Sequence, residues 1–198
     1  MASKLTTLAQ QKSAAQLQLM SRDSYKWFME KLQGMKNVSS IPRTIANERD
    51  RHTNSFKLGQ LYFFYYDPKT KDTLPYYDKF PLVLILEKYK DGFLGLNLHY
   101  LPLQYRLAFM DKLMDYASYT AENELKRIRV TYDILSASKR FKEFRPCIKR
   151  YLFPHITSKI LTVQPQEWET AVFLPIHQFK KAKDKDVWND SLQEIRNP

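Results

Sequence analysis

Residues 59–101 of the 198-residue chain read GQLYFFYYDPKTKDTLPYYDKFPLVLILEKYKDGFLGLNLHYL, and no other stretch is as dense in apolar and aromatic side chains. Two runs within it, Leu61–Tyr66 and Leu82–Leu86, are almost continuously apolar and too short for globular helices. They predict buried strands. In a third run, Phe93–Leu98, the residues Leu94, Leu96 and Leu98 recur at every second place, which sets them on one face of a strand. Gly95 and Asn97 fall on the other face, and at Gly95 a second backbone or a bound group has room to approach. Asp91-Gly92 separates the last two runs and predicts a tight hairpin turn with positive backbone angles. Gly59 opens the stretch as a turn residue. The three strands together predict a small antiparallel sheet, strongly bent in the SH3-like manner, that later strands would have to close.

Between the first two strands, Asp67-Pro68 starts a polar excursion expected to be a surface loop. Leu74-Pro75-Tyr76-Tyr77-Asp78-Lys79-Phe80-Pro81 then brings rings and prolines together. Pro75 and Pro81 each fix a backbone torsion, while Tyr76, Tyr77 and Phe80 offer large contact area at small entropic cost. The segment reads either as a rigid lid over a barrel end or as a docking surface with these three rings at protein contacts.

Outward from this core, residues 13–35 predict an amphipathic helix with Trp27, Phe28, Leu32 and Met35 on one side and Lys26, Glu30 and Lys31 off it. Trp27 and Phe28 are expected against the strands or another subunit. An extended linker carrying Arg43, Arg49, Arg51 and His52 follows. Leu103, Leu107, Met110, Met114 and Ala117 form a second helical stripe, with Tyr105, Arg106 and Asp111 directed outward. Residues 127–132 alternate as an edge strand, while Ser158–Val163 and Thr170–Leu174 read as two further strands. The resulting expectation is an α+β chain with packed helices and extended termini. Residues 1–55 form a helix and basic linker, 56–180 the core domain, and 181–198 a charged tail whose Trp188 and Leu192 anchor on a neighbour.

The formal charge of +11 points to a polyanion or an acidic protein surface as partner. Lys139, Arg140, Lys142, Arg145, Lys149 and Arg150 are concentrated in a short stretch whose only acid is Glu143. Phe141, Phe144, Ile148 and Tyr151 keep a helical spacing through it, which Pro146 should interrupt. With Arg127 and Arg129, these basic residues are the candidate phosphate contacts. No base-reading module accompanies them, so they are not expected to read sequence.

Chemistry is harder to place. A metal-dependent nuclease needs carboxylates gathered around a cation, but Asp67, Asp78, Glu87 and Asp91 all fit ordinary turn or surface roles. Tyr89 also stands where a common nuclease pattern has lysine. The histidines His52, His99, His155 and His177 lack ligand spacing, and His99 reads as structural. Cys147 is the single cysteine, expected as a buried small hydrophobe, and it excludes an internal disulfide. Four glycines supply no phosphate-binding loop. No apolar run approaches the roughly 20 residues of a membrane span, and the N-terminus lacks a signal peptide's apolar core. No catalytic group, metal or cofactor is expected.

The words DPKTKDTLPYYDKFPLVLILEKYKDGFLGLNLHYLP and YDILSASKRFKEFRPCIKRYL resemble the virion structural and DNA end protector group of T-even-like tailed bacteriophages. The resemblance runs from about Gly59 to Trp188 and is most distinctive at Leu74–Asp78 and Asn97–Leu101, segments with no catalytic role attached. It implies a late protein assembled in the host cytoplasm into the virion, contacting other virion proteins within an oligomeric assembly, and holding double-stranded DNA at the packaged end. A neck, tail or baseplate connector that works through protein contacts alone is the alternative, and a packaging nuclease a distant third.

Overall fold

The computed structural model describes Lys26 and residues 56–103, 105–106, 142–158, 160–163, 167–174 and 176–196. The three anticipated strands form as β1 (Leu61–Phe63), β3 (Leu82–Lys88) and β4 (Gly92–Asn97), with the two-residue β2 (Tyr77–Asp78) between the first pair. Beyond them come β5 (Ile148–Leu152), β6 (Leu161–Val163) and β7 (Phe179–Lys180), and two helices, α1 (Trp168–Phe173) and α2 (Asp184–Arg196). The main sheet has five strands in the order β5-β4-β3-β1-β6, every neighbour antiparallel, while β2 pairs with β7 apart from it. Later strands thus do join the early ones, but at the two outer edges, and the sheet stays open.

The continuous apolar runs arise because both faces of this sheet are covered. Leu61, Phe63, Leu82, Leu84, Leu86 and Leu96 point to one face, where Trp168, Ala171 and Val172 of α1 and Val187 of α2 pack on them. Tyr62, Phe64, Val83, Ile85, Phe93 and Tyr151 point to the other, closed by Phe56 and Ile156. The Phe56 ring centroid lies 4.6 Å from Phe93 and 5.1 Å from Tyr62. Alternation is therefore visible in which cluster a residue joins and not in polarity.

Several expectations change in the folded chain. The segment expected as a strand at Thr170–Leu174 lies largely in α1, because Trp168, Ala171 and Val172 bury together at helical spacing and outweigh the β-branched composition. Residues 184–196, expected within a charged tail, form α2 with Val187 and Ser191 buried one turn apart; the abundant charges occupy its outer face. The helical spacing expected from Phe141 to Tyr151 gives way after Cys147, where a 3-10 turn at Lys142–Cys147 containing Pro146 passes into β5. Leu103 is 40% exposed while Arg106 is only 2% exposed, the reverse of the expected orientation, since the Arg106 guanidinium turns inward to backbone carbonyls. Phe80, expected at a protein contact, is wholly buried and stacks on Phe63 with ring centroids 5.3 Å apart, so its surface is spent inside the chain.

Among the described residues positive φ occurs at Gly59 (φ 69), as its turn role required, and at Lys181 (φ 71), but not at Asp91 or Gly92. Gly92 is needed for a different reason: a Cβ there would run into the Tyr151 carbonyl oxygen across the β4–β5 pairing. Lys26 is helical and exposed, as its place off the apolar stripe implies. The rest of helix 13–35, the linker to residue 55, and everything expected within 107–141 lie outside the described residues.

At Gly95 a Cβ would strike the Val83 Cγ1 methyl and come within 3.0 Å of the Leu84 carbonyl oxygen. We expect Gly95→Ala to lower stability by about 1–3 kcal/mol, as overpacked cores do. The urea midpoint should fall, and Val83→Ala in the same chain should recover part of the loss. Additive losses in that double variant would show that the collision at Val83 is not the cause.

Candidate nucleic-acid interface

The local structure around the distinctive segments at 74–78 and 97–101 is organised by one carboxylate. Asp78 is held in place by the β2–β7 pairing, opposite Phe179. Its Oδ1 accepts the backbone N–H groups of Phe80 (3.0 Å) and Gln178 (3.1 Å). Its Oδ2 accepts from Asn97 Nδ2 (3.2 Å) and lies 2.6 Å from His99 Nδ1. Burial alone would raise the Asp78 pKa, but the His99 ring and the two amide donors hold it below the ordinary carboxylate value. Burial pulls His99 down to about 4 against the opposing attraction of Asp78. At neutral pH the pair is therefore an ionised carboxylate and a neutral imidazole that donates its Nδ1–H.

A second pair sits beside the first. His177 Nε2 and Asp184 Oδ2 are 2.8 Å apart, and the His177 and His99 ring centroids are separated by 5.6 Å. The remaining nitrogens, His99 Nε2 and His177 Nδ1, are buried without a hydrogen-bond partner among the described residues. The His99 carbonyl accepts from Trp188 Nε1 (2.9 Å) and from the Arg106 guanidinium (3.3 Å), which also donates through Nε to the Leu101 carbonyl (2.6 Å). Trp188, expected to anchor on a neighbour, thus ties α2 to the turn that carries His99.

Over this network lies a cleft of about 400 Å³. Pro68, Lys69, Thr70 and Leu74–Asp78 line one side, Lys149–Leu152 the other, with Tyr66 and Tyr100 also in its wall. Burial, reinforced by the nearby Asp190 and Glu194 carboxylates of α2, pushes the Tyr76 pKa up to about 12. The Tyr76 ring is 6.0 Å from Tyr100 and 6.5 Å from Phe179, centroid to centroid. Lys181 Nζ braces the same loop by donating to the carbonyls of Asp72 (2.9 Å) and Leu74 (3.1 Å).

The two cations of β5 have different fates. Arg150 pairs with Asp91 (2.5 Å) and lies 3.9 Å from the Tyr89 ring centroid, so it fastens the β3–β4 hairpin. Lys149 is partly buried, with Nζ 4.3 Å from the Tyr100 ring centroid. Among the described residues the Lys149 ammonium makes no hydrogen bond or ion pair. Burial lowers its pKa, with the more distant Cys147 and Glu194 pulling the other way. A lysine over a tyrosine, without a salt bridge among the described residues, in a cleft walled by further tyrosines, is suited to a ligand that joins an anion to a flat ring system.

Of the expected phosphate contacts, Lys149 and Arg150 come together at this cleft, and Arg145 is exposed on the preceding 3-10 turn. Lys142 opens that turn. Arg127, Arg129, Lys139 and Arg140 lie outside the described residues, as do Trp27 and Phe28. Tyr76 and Tyr77 line the cleft. Sequence reasoning did not single out Lys69, Tyr66, Tyr100 and Tyr151 as cleft residues, and it placed Asp78 at a turn or surface where the folded chain buries it. The available signal was the pair of segments 74–78 and 97–101, which meet through Asp78, Asn97 and His99.

The other carboxylates considered for metal chemistry are dispersed: Asp67 pairs with Lys71 (2.9 Å), Glu87 accepts from the Tyr89 hydroxyl (2.8 Å), and Asp91 holds Arg150. Among the described residues no group of three His, Cys, Asp or Glu side chains is placed to hold a metal ion. Cys147 is buried, and burial pushes its thiol up to about 12, the behaviour of an inert packing residue. No helix among the described residues is long and apolar enough to cross a membrane.

The family model of the phage T4 terminal DNA protecting protein matches residues 3–191. No curated protein and no solved structure matches the chain.

The buried pair makes stability acid-sensitive. Because His99 titrates at about 4 when folded and 6.5 when free, the unfolded chain binds the extra proton between those values. Its contribution is complete above pH 6.5 and is lost as pH falls toward 4, by up to about 3 kcal/mol. Asp78 acts in the same direction at lower pH, since its folded pKa is the depressed one. The urea midpoint should therefore fall steadily from pH 6.5 to 4.5. His99→Gln should flatten that fall while lowering stability at pH 7.5 by about 1–3 kcal/mol. A wild-type midpoint level across this range would rule out a neutral buried imidazole.

Proposed function

Because this chain belongs to the phage T4 terminal DNA protecting protein family, we propose that it binds the ends of packaged phage DNA directly and shields them without catalysis, as a component of the virion. The observation that carries the structural side of this reading is Lys149, a partly buried ammonium without an acid partner among the described residues, in a cleft walled by tyrosines. The formal charge of +11 supplies long-range attraction to phosphate. Arg127, Arg129, Lys139, Arg140, Lys142 and Arg145 extend phosphate contact along the duplex without reading its sequence. Asp67, Asp78, Glu87 and Asp91 are each engaged by donors within the chain, which favours a binding protein over a packaging nuclease. Other virion proteins and further copies of the chain complete the assembly around the DNA end.

The purified chain should bind linear blunt duplex more tightly than the same duplex closed into a circle. Affinity for both should fall as salt rises, in proportion to the number of phosphates contacted. Linear DNA carrying the protein should also outlast bare DNA when challenged with an exonuclease. Equal binding to linear and circular forms would reduce the function to a basic surface. An absence of binding at low salt would transfer the role to a neck, tail or baseplate connector that uses protein contacts alone.

A further inference from the structure

We infer that the cleft between residues 68–78 and β5 receives the terminal nucleotide of a DNA strand, with its phosphate on Lys149 and its base against the rings of Tyr76 and Tyr77. This rests on the reading that the chain binds DNA ends, and it assigns that recognition to one place. The cleft volume of about 400 Å³ falls in the roughly 300–1,000 Å³ range of sites for small ligands. A duplex cannot enter such a space, whereas a single nucleotide leaving the end of the stack can.

Lys149 points to the anion. Charges removed from water are ordinarily paired, yet among the described residues this ammonium lies over the Tyr100 ring and makes no ion pair, the Glu194 carboxylate acting on it only from beyond salt-bridge distance. Its neighbour Arg150 is already committed to Asp91. Lys69 also lines the same cleft and supplies a second cation. The tyrosines point to the base. Aromatic faces stack on any nucleobase, so they would hold an end without regard to its sequence.

The site is also held ready. The Tyr76 ring packs against Tyr100 and Phe179, and the loop behind it is braced by Lys181 at two carbonyls. Binding then spends little on ordering the walls. Selection of ends over interior positions follows from the nucleic acid: unstacking is least costly where a base is frayed or unpaired, and an interior base has to be extruded from between two neighbours.

The first test uses the unmodified full-length chain and duplexes carrying a photoreactive 5-iododeoxyuridine, either at the terminal nucleotide or well inside the duplex. Irradiation should crosslink the terminal label to Tyr76 or Tyr77, as located by mass spectrometry, and leave the interior label unattached to them. Crosslinks from the terminal label confined to residues away from the cleft would overturn the assignment.

The second test compares Lys149→Gln with Lys88→Gln, which removes the same charge from the exposed end of β3. Lys149→Gln should weaken binding to linear duplex about tenfold, the scale of a charge-assisted contact, and leave binding to circles within about twofold. Lys88→Gln should leave the preference for ends intact. A Lys149→Gln protein that keeps its preference for ends would sink the cleft assignment and leave end binding standing elsewhere on the chain. A wild-type protein with no preference for ends would sink the end-binding reading itself. Should Lys149→Gln fail to fold, the crosslink on the unmodified chain decides the matter.

Discussion

The Asp78 carboxylate is the constraint on which the rest of the described structure depends. Its four bonds reach Phe80 and Asn97 from the first half of the chain, His99 from the turn after β4, and Gln178 from the segment that leads to β7. An ionised group can lie in the interior because donors on separate elements surround it. Removing any one of these elements would leave a buried charge short of a donor. The pair thus acts as a specification of tertiary arrangement, one that a wholly apolar contact of the same area would impose less strictly.

From this centre outward, the sheet and the cleft are parts of one construction. The sheet supplies a rigid wall because both of its faces are packed. The β2–β7 pairing adds a second, small wall, and Asp78 belongs to both by sitting at β2 and bonding to Asn97 at the end of β4. The open space between the walls is lined by side chains whose backbones are fixed: Tyr77 and Asp78 on β2, Lys149 to Leu152 on β5. The cleft proposed for DNA ends is thus set on regular elements and braced loops, where positions are held more tightly than on a free loop.

The core was legible from sequence because an apolar run of strand length, bounded by turn residues, fits a buried strand and little else. Leu61–Phe63, Leu82–Lys88 and Gly92–Asn97 emerge close to where the pattern put them. The helices near the C-terminus were not legible. Six residues of α1 are too few to display a period clearly, and α2 buries so narrow a stripe, Val187 and Ser191, that its composition reads as a solvated tail. The interface was legible in part. Charge density pointed to Lys149 and Arg150, but nothing in their spacing distinguishes a lysine left free from an arginine spent on Asp91. That difference arises from strand pairing, which brings residue 150 beside residue 91. The inward turn of Arg106 was hidden for the opposite reason, since a charged residue satisfied by carbonyls leaves no trace in a pattern of apolar side chains.

The way α2 and the segment before it brace the cleft's walls carries a consequence for the chain's synthesis. Lys181 reaches back 107 residues to Leu74, Gln178 reaches 100 residues to Asp78, and Trp188 reaches 89 residues to His99. Loops of that length close slowly and late. A nascent chain that has exposed only the central strands holds part of the sheet but not the brace for the loop at 72–74. A chain cut short before α2 would therefore keep the strands of the sheet and lose the long-range braces that hold the cleft's walls.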